Sequence, residues 1–247
     1  MKTIKILFVC MLAAIFAHAQ ETVPPYMMHD VEVTPPKFTA VKYTQPENAN
    51  SLKAYISQNF EYNPEFGKTV EGTEVVKFVI NTDGRVSDVE VVNSVSSTVD
   101  RLITNIIEET DYMWVPGKNN GVPVAMEKEI AVKIKLGMTE KSAERRDFTE
   151  IARNYFTKGS EKLFFDRKAK KAIKQFELAI RYRPYDQAAL YMLALCEMDQ
   201  GNENAAQAYV DRFKELGGDL NLMDASLTEH IKSIEAHEDL AKLFAIK

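Results

Sequence analysis

The spacing of apolar residues between Val75 and Val92 limits what this chain can fold into more than any other feature. Val76, Phe78 and Ile80 alternate with Val75, Lys77 and Val79, the two-residue period of a strand with two unlike faces. Asn81-Thr82-Asp83-Gly84 then breaks the pattern with a turn, and Gly84 suits the positive φ that a tight hairpin demands. Val86 to Val92 reads as the returning strand.

On both sides of this hairpin the period changes to that of a helix. Leu52, Tyr55, Ile56 and Phe60 form one apolar stripe in 48–60, with Asn50 or Ser51 placed to cap it and Asn63-Pro64 to stop it. Leu102, Ile103, Ile106 and Ile107 line one face of 99–107, where Ser97 or Thr98 suits the cap. Trp114-Val115-Pro116-Gly117 reads as a bend, and Asn119-Asn120-Gly121-Val122-Pro123 as a loop. Alternation returns at 129–136, with Ile130, Val132, Ile134 and Leu136 on one face and Glu129, Ala131, Lys133 and Lys135 on the other.

The succession helix, strand, strand, helix, strand implies an α+β domain over 48–137, with a three-stranded antiparallel sheet. Chain direction sends the last strand back antiparallel to the first, giving the order 2-1-3 with a right-handed crossover. Strand 129–136 then lies at an edge. Its outward face carries Glu129, Lys133 and Lys135, and lysine guards edges against accidental pairing. Beyond Gly137 and a charged bridge at 140–146, the chain reads as all-α over 147–247, with helices at 147–164, 168–182, 186–200, 203–216 and 224–244.

The N-terminus reads as an export signal over 1–19. Lys2 and Lys5 precede the apolar run Ile6 to Ala17, and Ala17-His18-Ala19 fits a cleavage site that makes Gln20 the first mature residue. The alternative is a retained anchor, but a spanning helix needs ~20 apolar residues. Val9 before Cys10 does not suit a lipoprotein site, so Cys196 is the one mature cysteine and no internal disulfide forms. Residues 20–47, with Pro24-Pro25, Pro35-Pro36 and Pro46, read as a tether or a strap over the sheet domain, where Val31, Val33 and Phe38 offer contacts.

Several function classes find no support in this pattern. The net charge of −5 gives no general reason to bind nucleic acid. His29, His230 and His237 form no i, i+4 pair, and no nucleophile elbow or phosphate-cradling loop is present. We therefore expect no catalytic residue, metal or cofactor, and no small-molecule substrate. Glu108, Glu109 and Asp111 read as a solvated rim. Arg167, Lys168, Lys170, Lys171, Lys174, Arg181 and Arg183 read as a solvated basic face, or else as a dock for an acidic partner.

Two resemblances sharpen this reading. Gly72-Thr73-Glu74-Val75-Val76-Lys77-Phe78-Val79-Ile80, Asp83-Gly84-Arg85-Val86 and Trp114-x-Pro116-Gly117-Lys118-x-Asn120-Gly121-x-Pro123-Val124 together resemble the C-terminal domain of TonB across about 50–136. Read physically, Asp83, Gly84, Trp114, Pro116, Gly117, Gly121 and Pro123 are structural, with Trp114 plugging the end of the core. The resemblance implies a periplasmic protein that binds a short segment of a TonB-dependent outer-membrane transporter by adding it to the edge strand. The contact residues would be Glu129, Ile130, Ala131, Val132, Lys133, Ile134 and Lys135.

Energy-transducing members of that family keep a membrane anchor and a long proline-rich linker. The present tether reaches at most ~90–100 Å at ~3.3–3.6 Å per residue, and a cleaved chain cannot pull against the inner membrane. Transduction remains the reading if the N-terminus is retained, and the edge strand also leaves a homodimer open.

Ala172, Phe176, Ala179 and Pro184, with Ala206 34 residues after Ala172, resemble tetratricopeptide repeats. Leu190, Leu193, Ala194 and Gly201 fit a second unit, Gly218 stands where its closing proline would, and Gly159 is one position off. This implies two repeats, a capping helix at 224–244 and a protein-binding or scaffolding surface.

Overall fold

The computed structural model describes residues 32–39, 51–63 and 68–219. The expected export signal over 1–19, the helix expected at 224–244, His29, His230 and His237, and all of the 20–47 segment except 32–39 lie outside these residues.

The sheet is built on β3 (Val70–Ile80), whose hairpin partner is β4 (Val86–Asn93) and whose other neighbour is β8 (Met126–Leu136). Both pairings are antiparallel, giving the order β4-β3-β8. β3 and β8 stay in register without interruption from Val70↔Leu136 to Ile80↔Met126. The β3–β4 ladder is irregular twice, and one irregularity lies beside Asp88, whose φ is 50°. Gly84 turns the hairpin at φ +83°, pressed so near the Trp114 carbonyl that a Cβ there would lie 2.7 Å from its oxygen.

One face of the sheet is covered by α1 (Ser51–Asn59) and α2 (Ser97–Glu108). Val76, Phe78 and Ile80 from β3 and Ile130 and Ile134 from β8 meet Leu52, Ile56, Val99, Ile103 and Ile107 in one buried core. The cap of α2 is Ser96, one residue before the expected position, where its Oγ accepts the Val99 N–H at 3.3 Å.

The tryptophan stretch is not a simple bend and loop. It forms β5 (Trp114–Val115), β6 (Lys118–Asn119) and β7 (Val122–Pro123), because a strap from the N-terminal side pairs with it. In that strap β1 (Val33–Thr34) pairs with β6, and β2 (Lys37–Phe38) with β5. Phe38 is buried with its ring 5.0 Å from Trp114 and 5.6 Å from Tyr55, whereas Val33 is exposed. Trp114 is buried between Phe38 and Phe78, and its indole N–H donates to Thr110 Oγ1 at 3.0 Å.

The helical part comprises α3 (Glu140–Glu144), α4 (Phe148–Phe164), α5 (Ala169–Tyr182), α6 (Gln187–Asp199) and α7 (Glu203–Glu215). Asp147 and Asp186 cap α4 and α6 through their carboxylates. Phe176, Leu190, Leu193, Cys196 and Phe213 form its core, and Gly159 lets the Phe176 ring lie directly against α4. Among the described residues, no helix is long and apolar enough to cross a membrane.

Candidate functional site

Hydrogen bonds on β3 decide which main-chain groups of β8 are available. The Thr73 carbonyl accepts a bond from Asn93 Nδ2 on the β4 side at 2.6 Å, and just past the strand Asn81 N–H donates to the Arg85 carbonyl at 2.8 Å. A strand residue sends its N–H and C=O to one side, and that side alternates along the chain. Odd-numbered β3 residues therefore bond toward β4, and even-numbered ones toward β8. The register pairs even with even, Val76 with Ile130 and Gly72 with Ile134 among them. It follows that Lys128, Ile130, Val132 and Ile134 are tied to β3, while Glu127, Glu129, Ala131, Lys133 and Lys135 turn their main-chain groups outward. Among the described residues no strand or loop hydrogen-bonds to that outer edge.

The side chains of these odd residues correct the expected outward face. The helices pack against it, and most of it faces them rather than solvent. Arg212 of α7 forks onto Glu129 with contacts of 2.8 and 3.0 Å. Lys135 donates to the carbonyls of Ala143 and Arg146 and lies over the Phe148 ring, so it anchors the helical part instead of guarding the edge. Of the three expected guards, Lys133 alone is exposed.

The same face of β3 carries further anchors. Thr73 Oγ1 donates to the Tyr182 carbonyl at 2.9 Å, and Lys77 pairs with Glu215 at 3.3 Å. Glu71 accepts from Arg146 and from the Tyr182 hydroxyl. Burial opposes its charge, yet the hydrogen bonds from Arg146 and Tyr182 outweigh that and hold its carboxyl below the usual range. Val75, which shares this face, is completely buried. Arg181 does not sit on a solvated basic face either, because it reaches across to the Val95 carbonyl at 2.6 Å. Lys170, Lys171 and Lys174 are exposed.

A trough of about 500 Å³ lies across the outer edge of β8. Ala131, Val132 and Lys133 form its floor, Lys53 of α1 stands on one side, and Arg183 and Tyr185 of the α5–α6 turn stand on the other. Tyr185 stacks against the Arg212 guanidinium at 5.5 Å. Burial, then the hydrogen bond to Glu129, pushes its phenol above the usual tyrosine range. Lys53 and Tyr185 were not among the expected contact residues. Each is far from β8 in sequence, and no local pattern marks either one.

Trp114 is buried at the end of the core and Gly117 is buried against the Met126 side chain, whereas Gly121 and Pro123 are exposed in the β6–β7 turn, with Gly121 at φ +78° and no described residue packed on it. Asp83 stays at the hairpin turn, paired with Arg85 at 2.6 Å. Among the described residues, no group of His, Cys, Asp or Glu side chains could hold a metal ion.

Comparison with known proteins bears on the sheet domain. Residues 68–136 match the family model of the Gram-negative bacterial TonB protein C-terminal. Among solved structures, the NMR solution structure of the Helicobacter pylori TonB-CTD is similar at 21% identity, covering 36% of this chain and 79% of that one with a TM-score of 0.28. The search of curated proteins finds no match.

Proposed function

We propose that this chain is a non-enzymatic protein-interaction module of the bacterial envelope. It takes up an extended peptide, of the kind a TonB-dependent outer-membrane transporter presents, as a fourth strand beside β8. One observation carries this reading: five alternate residues, Glu127 to Lys135, turn outward main-chain groups that no other described residue partners, from a strand held in unbroken register. A free, straight edge of this length is a template for strand addition, and main-chain pairing needs few particular side chains. The family match over 68–136 supports the partner class.

The test is binding of transporter-derived peptides to the full chain and to Lys133→Pro. Proline removes one outward N–H, and because Lys133 does not bond to β3 the internal ladder survives. We expect affinity to fall at least ~10-fold, from one lost hydrogen bond together with the displaced backbone. Unchanged affinity in a folded variant overturns the reading. Periplasmic export is part of the proposal, and mass spectrometry of the mature chain should find Gln20 first. A retained Met1 would favour the energy-transducing alternative instead.

A second reading, a tetratricopeptide-like scaffold, has its own observation. A groove of about 470 Å³ between α4 and α6 is lined by Leu163, Phe164 and Leu195, with Met198 57% exposed nearby. Leu195→Glu with Met198→Glu should abolish a helical-tail partner and leave peptide binding at β8 intact. Substitution is the better probe than deleting 147–247, which would strip the cover from Val75 and the partner from Glu129.

A further inference from the structure

We propose that the trough beside β8 selects extended segments bearing two adjacent acidic side chains, and that the helical tail supplies one of the two selecting walls. This rests on strand addition at β8 and specifies what is added there. Three cations from separate elements converge on the trough: Lys53 from α1, Lys133 from β8 and Arg183 from the α5–α6 turn. No carboxylate lines it. Glu129 and Glu71, on the same face of the sheet, are already engaged by Arg212 and Arg146. Arg183 has only a loose contact with Asp186 at 3.6 Å, and Lys53 and Lys133 are exposed without an ion pair among the described residues. The positive trough is thus a local feature of a chain whose net charge is −5.

Strand geometry converts this charge into a pattern. Successive side chains of an added strand point to opposite faces. One acid would meet Lys133 and Arg183 on the tail side, and its neighbour would meet Lys53 on the α1 side. The exposed ring of Tyr185 beside Pro184 offers an apolar shelf for the residue two positions along on the tail side. A lysine that only guarded an edge would need neither Lys53 nor Arg183 opposite it. A sheet domain without the helical tail would lack the Arg183 and Tyr185 wall altogether.

The experiment uses the full chain and nine-residue peptides with a neutral fluorophore, identical except for a central Glu-Asp, Ser-Ser or Lys-Lys pair. At low salt, anisotropy should show Glu-Asp binding about tenfold more tightly than Lys-Lys, the expected sum of two or three exposed ion pairs gained or opposed. The preference should shrink at high salt and reverse in Lys53→Glu/Lys133→Glu. Equal affinities within a factor of two, or a preference that the double variant leaves unchanged, overturn the inference while strand addition stands. The Glu-Asp peptide N-methylated at every residue keeps no N–H on either edge and cannot pair as a strand, so undiminished binding of that peptide overturns strand addition itself. Failure of all three peptides to bind overturns both.

Discussion

Replacing Glu74 with glutamine should flatten the pH dependence of folding. Glu74 lies in phase with Val76, Phe78 and Ile80 on the core side of β3 and is completely buried. Its Oε2 accepts the Val95 N–H at 2.8 Å, and among the described residues no group donates a hydrogen bond to its Oε1. Burial, reinforced by the neighbouring Asp100 carboxylate, pushes its carboxyl up to about 8 from the ordinary 4.5. Between those two values the folded chain holds a proton that the unfolded chain has released. The contribution of Glu74 to stability is therefore most favourable below the lower value, declines as pH rises through the window and levels off above the upper one. The slope is ~1.4 kcal/mol per pH unit, with a ceiling of roughly 5 kcal/mol that local relaxation will reduce. Glutamine keeps an acceptor for Val95 and has no charge to bury. Urea denaturation at pH 5.5, 7 and 8.5, followed by the fluorescence of Trp114, the sole tryptophan, measures the slope directly. Glu74→Gln should match the wild type within ~1 kcal/mol at pH 5.5 and exceed it by ~1–4 kcal/mol at pH 8.5. Parallel slopes for the two proteins would refute the buried-proton account.

Other substitutions test the packing that shapes the site. Trp114→Ala, which removes the ring between Phe38 and Phe78, should cost ~3–5 kcal/mol in denaturant titrations. Arg212→Ala leaves the half-buried Glu129 without its fork and should cost ~1–3 kcal/mol. Adding Glu129→Gln to that variant should restore part of the loss. Gly159→Leu drives a side chain into the Phe176 ring, and calorimetry should show a lower Tm.

Particular residues mark the limit of what the sequence made legible. The hairpin, α2 and β8 followed from local period and turn chemistry, because an alternating strand next to Asp83-Gly84 has few other ways to fold. The two faces of 129–136 were equally plain. What covers the second face was not, since Glu129, Ala131, Lys133 and Lys135 look alike whether water or a helix lies over them. Only tertiary contact shows that Glu129 meets Arg212 and that Lys135 meets carbonyls at the end of α3 and just after it. The strap was half legible: Phe38 offered an apolar contact, but its pairing with Trp114 depends on a strand of two residues, too short to carry a period. Glu74 had a readable signal, a charge in phase with three core residues, and among the described residues it is the one carboxyl that folding buries on that face. Lys53 and Tyr185 reach the trough from elements distant in sequence, and no local rule joins them.

The most direct measurement is amide hydrogen exchange resolved residue by residue along β8 in the free protein. Lys128, Ile130, Val132 and Ile134 should exchange slowly, and Glu129, Ala131 and Lys133 between them at least ~100-fold faster. Uniform protection across 128–134 would mean that another chain or segment already occupies the outer edge, leaving no place for an added strand.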